Sequence, residues 1–479
     1  MSLKKDIFSG IRWTTISTIF AVFIQVLQIA ILTRVLDKKD FGLMSLVMVI
    51  VGFSQAFLDM GISNAIIHKQ EITKKQLSSI YWLNIISGIL LFLVVCGIAP
   101  LIAKYYSEPE LTKLIILTSI TFIIQSFSQQ FMVLLQKEMR FDQISKIDII
   151  NKIISSSISI LLAFNGFGVY SLVWGIIAGT FVSTVQYISI GFKEYRPLLV
   201  FKINEIKDFI HFGTYQMGER IVNYFTFQLD TLLIGKLLGM ESLGIYSIAK
   251  QLVMRPAEIF NPIITKVTFP AMAKVQNEIS KLKETYFLTI NHLSSINFPV
   301  YTFIFIFAHD ITLILFGTNW LAAVPIIKIL SIWGAIRSTG NPIGSLLLAR
   351  GKAKLGFWWV LGVSFIVVIG IYLGSKWKLI GIAYSLLFLQ LILMPMSWYF
   401  LVKPLCGAKF IEYNREIIIP ALVSIVSGTI VYIIIFSMNI DYVLIKLFIG
   451  LFFGFIFSLI FNYFLNKKFL IHLMEILTW

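Results

Sequence analysis

The sequence predicts an all-α polytopic membrane protein of about fourteen transmembrane helices, arranged as two six-helix lobes around a central cavity plus two C-terminal helices. Three observations lead there. Of 479 residues, 58% are hydrophobic and only 13% charged, with a mean hydropathy of +0.86, outside the range of soluble globular domains. Crossing ~30 Å of hydrocarbon takes ~20 helical residues, and apolar runs of that length follow one another from Ile11 to Leu465. The chain also echoes itself after roughly 200 residues, too long for a solenoid unit and suited to a two-lobed membrane architecture.

In order, the spans fall at 12–35, 41–63, 79–103, 112–135, 146–165, 169–192, 208–236, 243–270, 285–309, 323–348, 355–375, 379–402, 417–437 and 443–465. Lys4 and Lys5 precede the first, which has no small-residue cleavage site and runs on to Arg34, so an uncleaved helix is expected. Basic residues crowd the tails and even-numbered loops (Lys74 and Lys75, Lys137 and Arg140, Lys281 and Lys283, Lys467 and Lys468), while odd-numbered loops hold few. By the positive-inside rule both termini are cytoplasmic. The net charge of +16 thus reflects topology and calls for no nucleic-acid partner.

The repeat is legible at the ends of spans one and seven. With Arg34 set on Lys236, Leu36 meets Leu238, Gly42 meets Gly244 and Ser45 meets Ser247, and the polar Thr14, Thr18 and Gln28 meet Gln216, Arg220 and Asp230. Four parts follow: an N-lobe at 1–192, a cytoplasmic linker at 193–207, a C-lobe at 208–402, and spans thirteen and fourteen with a cytoplasmic tail at 403–479. Leu198 to Ile210 is expected to lie on the membrane as an amphipathic helix. The last two spans carry almost no polar residues within the membrane, as a lipid-facing addition or groove wall would.

Candidate functional residues are those that hydrocarbon should reject. Span seven carries Gln216, Glu219, Arg220, Asn223, Thr226 and Asp230 three or four residues apart, one polar stripe on an otherwise apolar helix. A charge at mid-membrane costs at least ~2.5–3.5 kcal/mol, so that face should line a bundle interior or wet cavity. Span eight repeats the pattern with Lys250, Arg255, Glu258 and Asn261, interrupted by Pro256 and Pro262, and proline kinks often flank cavities. Two readings of Arg220, Lys250 and Arg255 against Glu219, Asp230 and Glu258 stand side by side. The charges either neutralise one another to hold two helices together, or leave cations for an anionic headgroup and carboxylates for a coupling ion.

The N-lobe offers a nearly uncharged face of Thr18, Gln25 and Gln28 with Gln129 of span four, suited to sugars; Arg337 and Asn341 of span ten extend the set. Asp59 reads as a helix-end residue, Arg34 as a snorkelling one, and the five histidines as interfacial. Walker A, His-Glu-x-x-His and Cys-x-x-Cys sequences are absent, and Cys96 and Cys406 offer neither a disulfide framework nor a metal set. No cofactor, metal or enzymatic activity is expected.

Leu32-Thr-Arg-Val-Leu-Asp-Lys-Lys-Asp-Phe-Gly, Asp59-Met-Gly-Ile-Ser-Asn-Ala-Ile-Ile-His-Lys, Leu135-Gln-Lys-Glu-Met-Arg-Phe, and Arg255-Pro with Phe269-Pro resemble the Wzx-type polysaccharide flippases of the MOP superfamily, particularly the colanic and teichuronic acid exporters. Lys38 departs from the proline or small residue expected before the acid-Phe-Gly turn. The resemblance covers nearly the whole chain and implies translocation of an undecaprenyl-diphosphate-linked oligosaccharide across the bacterial cytoplasmic membrane by alternating access. Protons or sodium are the candidate coupling ions, with Glu219, Asp230 and Glu258 their carriers; membrane lipids and the polysaccharide polymerase machinery are the implied partners. The competing reading is a cation-coupled multidrug extruder, which would want a carboxylate-rich pocket instead of a mixed, Arg-bearing one.

Overall fold

The computed structural model describes residues 3–58, 63, 66–67, 69, 71–438, 440 and 442–469, with the side chains of 3–8, 11, 55–58, 208 and 210–223 outside that description. Among the described residues the protein is all-helical. Ten of its helices are long and apolar enough to cross a membrane, and twelve if each of two sharply bent pairs counts as one span. The chain forms two compact units, Met1–Gly244 and Ile245–Trp479.

The first unit contains α1 (Leu3–Leu32), α2 (Lys38–Leu58), α3 (Lys74–Tyr106), α4 (Glu110–Ser126), α5 (Gln129–Lys137), α6 (Phe141–Phe164), α7 (Tyr170–Glu194) and the first part of α8 (Lys207–Lys274). Thr73 and Gln76 form a capping box that starts α3, and Ser107 ends it in a left-handed conformation. The expected fourth span is broken: α4 and α5 meet at 50°, where Ser128 leaves the helix and bonds Thr184 of α7 at 3.1 Å. Between α6 and α7 the chains approach closely, since a Cβ on Gly175 or Gly179 would lie within 2.6 Å of Ser155 O or Asn151 Oδ1. Small residues serve this purpose where lipid supplies no drive for helices to associate.

Two features matter most for function. First, the glycines matched in the sequence repeat cross each other: a Cβ on Gly42 would sit 1.9 Å from the Met240 carbonyl, and one on Gly244 would sit 1.9 Å from the Lys38 carbonyl. The contact is reciprocal, backbone against backbone, and Lys38 pairs with Glu241 beside it at 3.5 Å. It depends on Gly239, where α8 leaves helical geometry at φ 82° and ψ 175°, a conformation glycine adopts without steric cost. Second, the expected amphipathic helix over Leu198–Ile210 is not there. Residues 195–202 are irregular, followed by a 3₁₀ turn at Ile203–Glu205. The backbone amides of Leu198 and Lys202 donate to Ser78 and Ser79 of α3, each at 3.0 Å, and Trp82 Nε1 donates to the Leu198 carbonyl at 2.8 Å. Side-chain hydroxyls on a neighbouring helix satisfy the strand of backbone that would otherwise have coiled. Ile206 and Phe209 then bury themselves against Ile80 and Val133.

The second unit continues α8 and adds α9 (Ile279–Ile306), α10 (Ala308–Leu315), α11 (Val324–Thr339), α12 (Pro342–Ala349), α13 (Ala353–Ser375), α14 (Lys378–Ser397), α15 (Lys403–Cys406), α16 (Phe410–Ser437) and α17 (Val443–Leu465). At its centre α9 touches α11, α16 and α17, and α10 turns 75° from it. Expected span ten is divided between α11 and α12 at Gly340-Asn341. The last two helices are more polar inside than the sequence suggested. Asn291 of α9 donates to Glu416 of α16 at 2.9 Å and to Asn466 at 3.1 Å, while Asn466 reaches Ser295 and Asn462. In α10, Asp310 is 7% exposed and pairs with Lys446 of α17 at 2.8 Å. Lys283 of α9 pairs with Glu412 of α16 at 3.1 Å. Polar contacts therefore tie α16 and the end of α17 to α9, and the start of α17 to α10.

Candidate functional site

Of the span-seven stripe, the side chains of Gln216, Glu219, Arg220 and Asn223 lie outside the described residues, as do Asp59, His68, His211 and His472. Asp230, the last member of the stripe, is 8% exposed, and its Oδ1 accepts the Thr231 amide at 2.7 Å. Its neighbour Thr231 is buried too, so the far end of the stripe turns inward, as the cost of exposing a carboxylate to lipid demands.

The neutral N-lobe set divides. Thr18 is exposed and donates to the Thr14 carbonyl at 2.8 Å, and Gln25 is half-buried. Gln28 accepts a hydrogen bond from Ser156 of α6 at 3.0 Å and so helps join α1 to α6. Gln129 approaches Ser63 at 3.5 Å. Its neighbour Gln130 is wholly buried, and neither end of its amide has a partner among the described residues. Lys146 of α6 stands 5.2 Å over the Trp13 ring of α1.

In the second unit, Arg255 pairs with Glu258 one turn along α8 at 3.0 Å. This is the charge-neutralising arrangement, within one helix instead of between two, and both groups remain partly exposed. Lys250 lies 5.9 Å from the Tyr246 ring and the Arg337 guanidinium 4.8 Å from the Trp333 ring. Asn341 is exposed, heading α12 without a capping bond. Asn261 is the most engaged of the polar residues here: it accepts from Asn297 of α9 at 2.9 Å and donates to the Ser338 carbonyl of α11 at 3.3 Å. Arg34 bonds the Ala30 carbonyl of its own helix end, which fits its reading as a terminal residue.

Sequence reasoning passed over Asp148 and Lys152 in α6. They stand one turn apart, with Asp148 exposed and Lys152 half-buried, on the helix that also presents Ser156 to Gln28. Both were visible as charges inside an apolar run. Taken together, the described residues of each unit offer hydroxyls, amides and cations beside aromatic rings, Lys146 over Trp13 and Lys236 over Tyr105 in the first, Lys250 by Tyr246 and Arg337 by Trp333 in the second. Hydroxyls and amides suit neutral polyols, and the cations suit phosphate oxygens and ring faces. Among the described residues no three metal-ligating side chains gather.

The model of a family described as "Polysaccharide biosynthesis protein" matches residues 31–325. The teichuronic acid biosynthesis protein TuaB of Bacillus subtilis (strain 168) is 35% identical, over 78% of this chain and 77% of that protein. The lipopolysaccharide biosynthesis protein WzxC of Escherichia coli (strain K12) is 30% identical, over 89% of this chain and 87% of its own length. Among solved structures, the lipid II flippase MurJ in an inward closed conformation superimposes with a TM-score of 0.75 at 16% identity, covering 94% of this chain and 99% of that one. That last likeness establishes a shared fold, and the sequence matches establish kinship: the chain belongs to the polysaccharide biosynthesis protein family.

Proposed function

We propose that this chain moves an undecaprenyl-diphosphate-linked oligosaccharide repeat unit from the cytoplasmic to the outer leaflet of a bacterial cytoplasmic membrane. The observation that carries the reading is the near full-length kinship with proteins of teichuronic acid and lipopolysaccharide biosynthesis. Chemistry supports it. A diphosphate needs cations, and Arg220, Lys250, Arg255 and Arg337 are four that the sequence places within its spans. Sugars need amides and hydroxyls, and Thr18, Gln25, Gln28, Gln129, Gln216, Asn223 and Asn341 supply them.

In this reading α2 and the two parts of α8 on either side of Gly239 are counted as crossings, which gives fourteen spans with both termini cytoplasmic. The six-helix lobes at 1–192 and 208–402, joined by 193–207, swing alternately open to each leaflet. Glu219, Asp230 and Glu258 carry a proton or sodium ion. No bond in the substrate is made or broken, so the protein is no enzyme, and the polymerase that consumes the flipped unit is its functional partner.

The test is the leaflet distribution of lipid-linked sugar in cells lacking the chain. Accumulation of the repeat unit on the cytoplasmic leaflet, reversed by the wild-type protein, is the expected result. No accumulation, with altered sensitivity to cationic drugs in its place, would favour the extruder.

A further inference from the structure

Where α9, α16 and α17 end together, the second unit holds a cavity of about 320 Å³, within the ~300–1,000 Å³ of small-ligand sites. Deeper in the bundle the three helices touch: an added Cβ on Gly450 of α17 would lie 2.4 Å from the Phe307 ring, and one on Gly428 of α16 would lie 2.5 Å from Thr302 of α9. At Phe307 the chain leaves α9, and α10 turns 75° away. That bend ends the close packing and opens the cavity. Phe307, Ile435, Tyr432 and Phe436 supply its apolar lining, and Asp310 of α10 with Lys446 of α17 its charged lining.

The charged pair is closed on one side only. Lys446 Nζ lies 2.8 Å from Asp310 Oδ2, which occupies one of three ammonium donors. Among the described residues Asp310 Oδ1 has only His309 Nδ1, at 3.8 Å, beyond hydrogen-bond reach. Asp310 is nevertheless more than nine-tenths buried, and a carboxylate so withdrawn from water gains from every further donor. An anion alone would meet the lysine but be repelled by the aspartate, and a cation alone would suffer the reverse. A ligand carrying both charges on a short arm satisfies the two groups at once, with the Tyr432 and Phe436 rings beside its cation.

The place of the cavity says where such a ligand comes from. α9 ends at Ile306, α16 ends at Ser437 and α17 starts at Val443, so three span ends meet here, at the depth of lipid head groups. Phe436 and Tyr442 at this end are 73% and 74% exposed, and on membrane helices such rings face lipid. We infer that the cavity binds the head group of an ethanolamine phospholipid, its ammonium on Asp310 Oδ1 and its phosphate on the open donors of Lys446. A choline head group has no N–H to give the carboxylate, and a glycerol head group has no cation.

The test uses the purified full-length protein in detergent micelles holding equal amounts of phosphatidylethanolamine, phosphatidylcholine and phosphatidylglycerol with matched chains. Lipid retained by the protein is read by native mass spectrometry. The expected result is retention of phosphatidylethanolamine at least tenfold above either of the others. Lys446→Met combined with Asp310→Leu, which strands neither charge, abolishes that preference, while Lys376→Met, exposed at another span end, keeps it. A second measurement leaves the ion pair intact: alkylation of Ile440→Cys in the cavity lining, read on its own peptide, slows at least fivefold with phosphatidylethanolamine and not with phosphatidylcholine. Phosphatidylcholine or phosphatidylglycerol retained as well as phosphatidylethanolamine would overturn the inference. So would a double variant that keeps the preference, or alkylation at the same rate in all three lipids. The site does not depend on the cargo, so its failure leaves the flippase reading standing.

Discussion

At the scale of single residues, the protein separates charges that are compensated from polar groups that are not. Asp310 and Lys446 illustrate the first. Removing one partner strands a charge with few water contacts, whereas replacing both with apolar residues removes the desolvation cost as well. Lys446→Met should therefore destabilise the protein by about 2–3 kcal/mol, and adding Asp310→Leu should recover most of that, as read by thermal unfolding in detergent. A double variant no better than the single would show that the pair acts otherwise. Gln130 illustrates the second. Among the described residues its buried amide lacks partners at both ends, and an unmade buried hydrogen bond costs about 1–3 kcal/mol. Gln130→Leu should raise the unfolding temperature; a fall would reveal a partner that binds there.

At the scale of helices, the repeat has a physical purpose at Gly42 and Gly244. A helical glycine usually gains about 1 kcal/mol on replacement by alanine. Here a Cβ would meet a backbone carbonyl at 1.9 Å on either side, and backbone cannot rotate away. Gly42→Ala and Gly244→Ala should each lower transport at least tenfold, measured by export of the repeat unit at equal protein level, while Gly97→Ala, whose Cβ meets nothing within 4 Å, should not. The linker makes a second prediction. Ser78 accepts the Leu198 amide, donates to Lys74 and contacts the Tyr195 hydroxyl. Ser78→Val should loosen residues 195–202 and speed tryptic cleavage at Lys202 severalfold, with the rest of the digestion pattern unchanged.

What the sequence disclosed follows from which forces are local. Apolar run length is set by bilayer thickness, so the helices were legible one by one, as was the match of Gly42 to Gly244. The linker was not, because its amphipathic pattern competes with hydroxyls on Ser78 and Ser79 that are distant in sequence. The polarity of the last two helices was missed for a similar reason: Asn462 and Asn466 look like helix-end residues until Asn291 is brought against them. Among candidate site residues, Arg255 and Glu258 show the spacing of an i,i+3 pair, and Gln28 looked available until Ser156 claimed it. Asp148 and Lys152 were overlooked because attention went to the charged stripes of spans seven and eight.

At the scale of the whole molecule, kinship places the chain among polysaccharide biosynthesis proteins, and the proposed function makes it a carrier of lipid-linked sugar. Each unit carries amides, hydroxyls and cations beside aromatic rings, the groups that a substrate with a sugar chain and a diphosphate requires. The most direct measurement is made with purified protein in liposomes containing a fluorescent undecaprenyl-diphosphate oligosaccharide, by following how much fluorophore an impermeant quencher reaches. The account predicts that the reachable fraction rises from about half towards completion when protein is present, and that Arg255→Ala slows the rise. A fraction that stays at the protein-free value, in vesicles where the protein is folded and inserted, would contradict it.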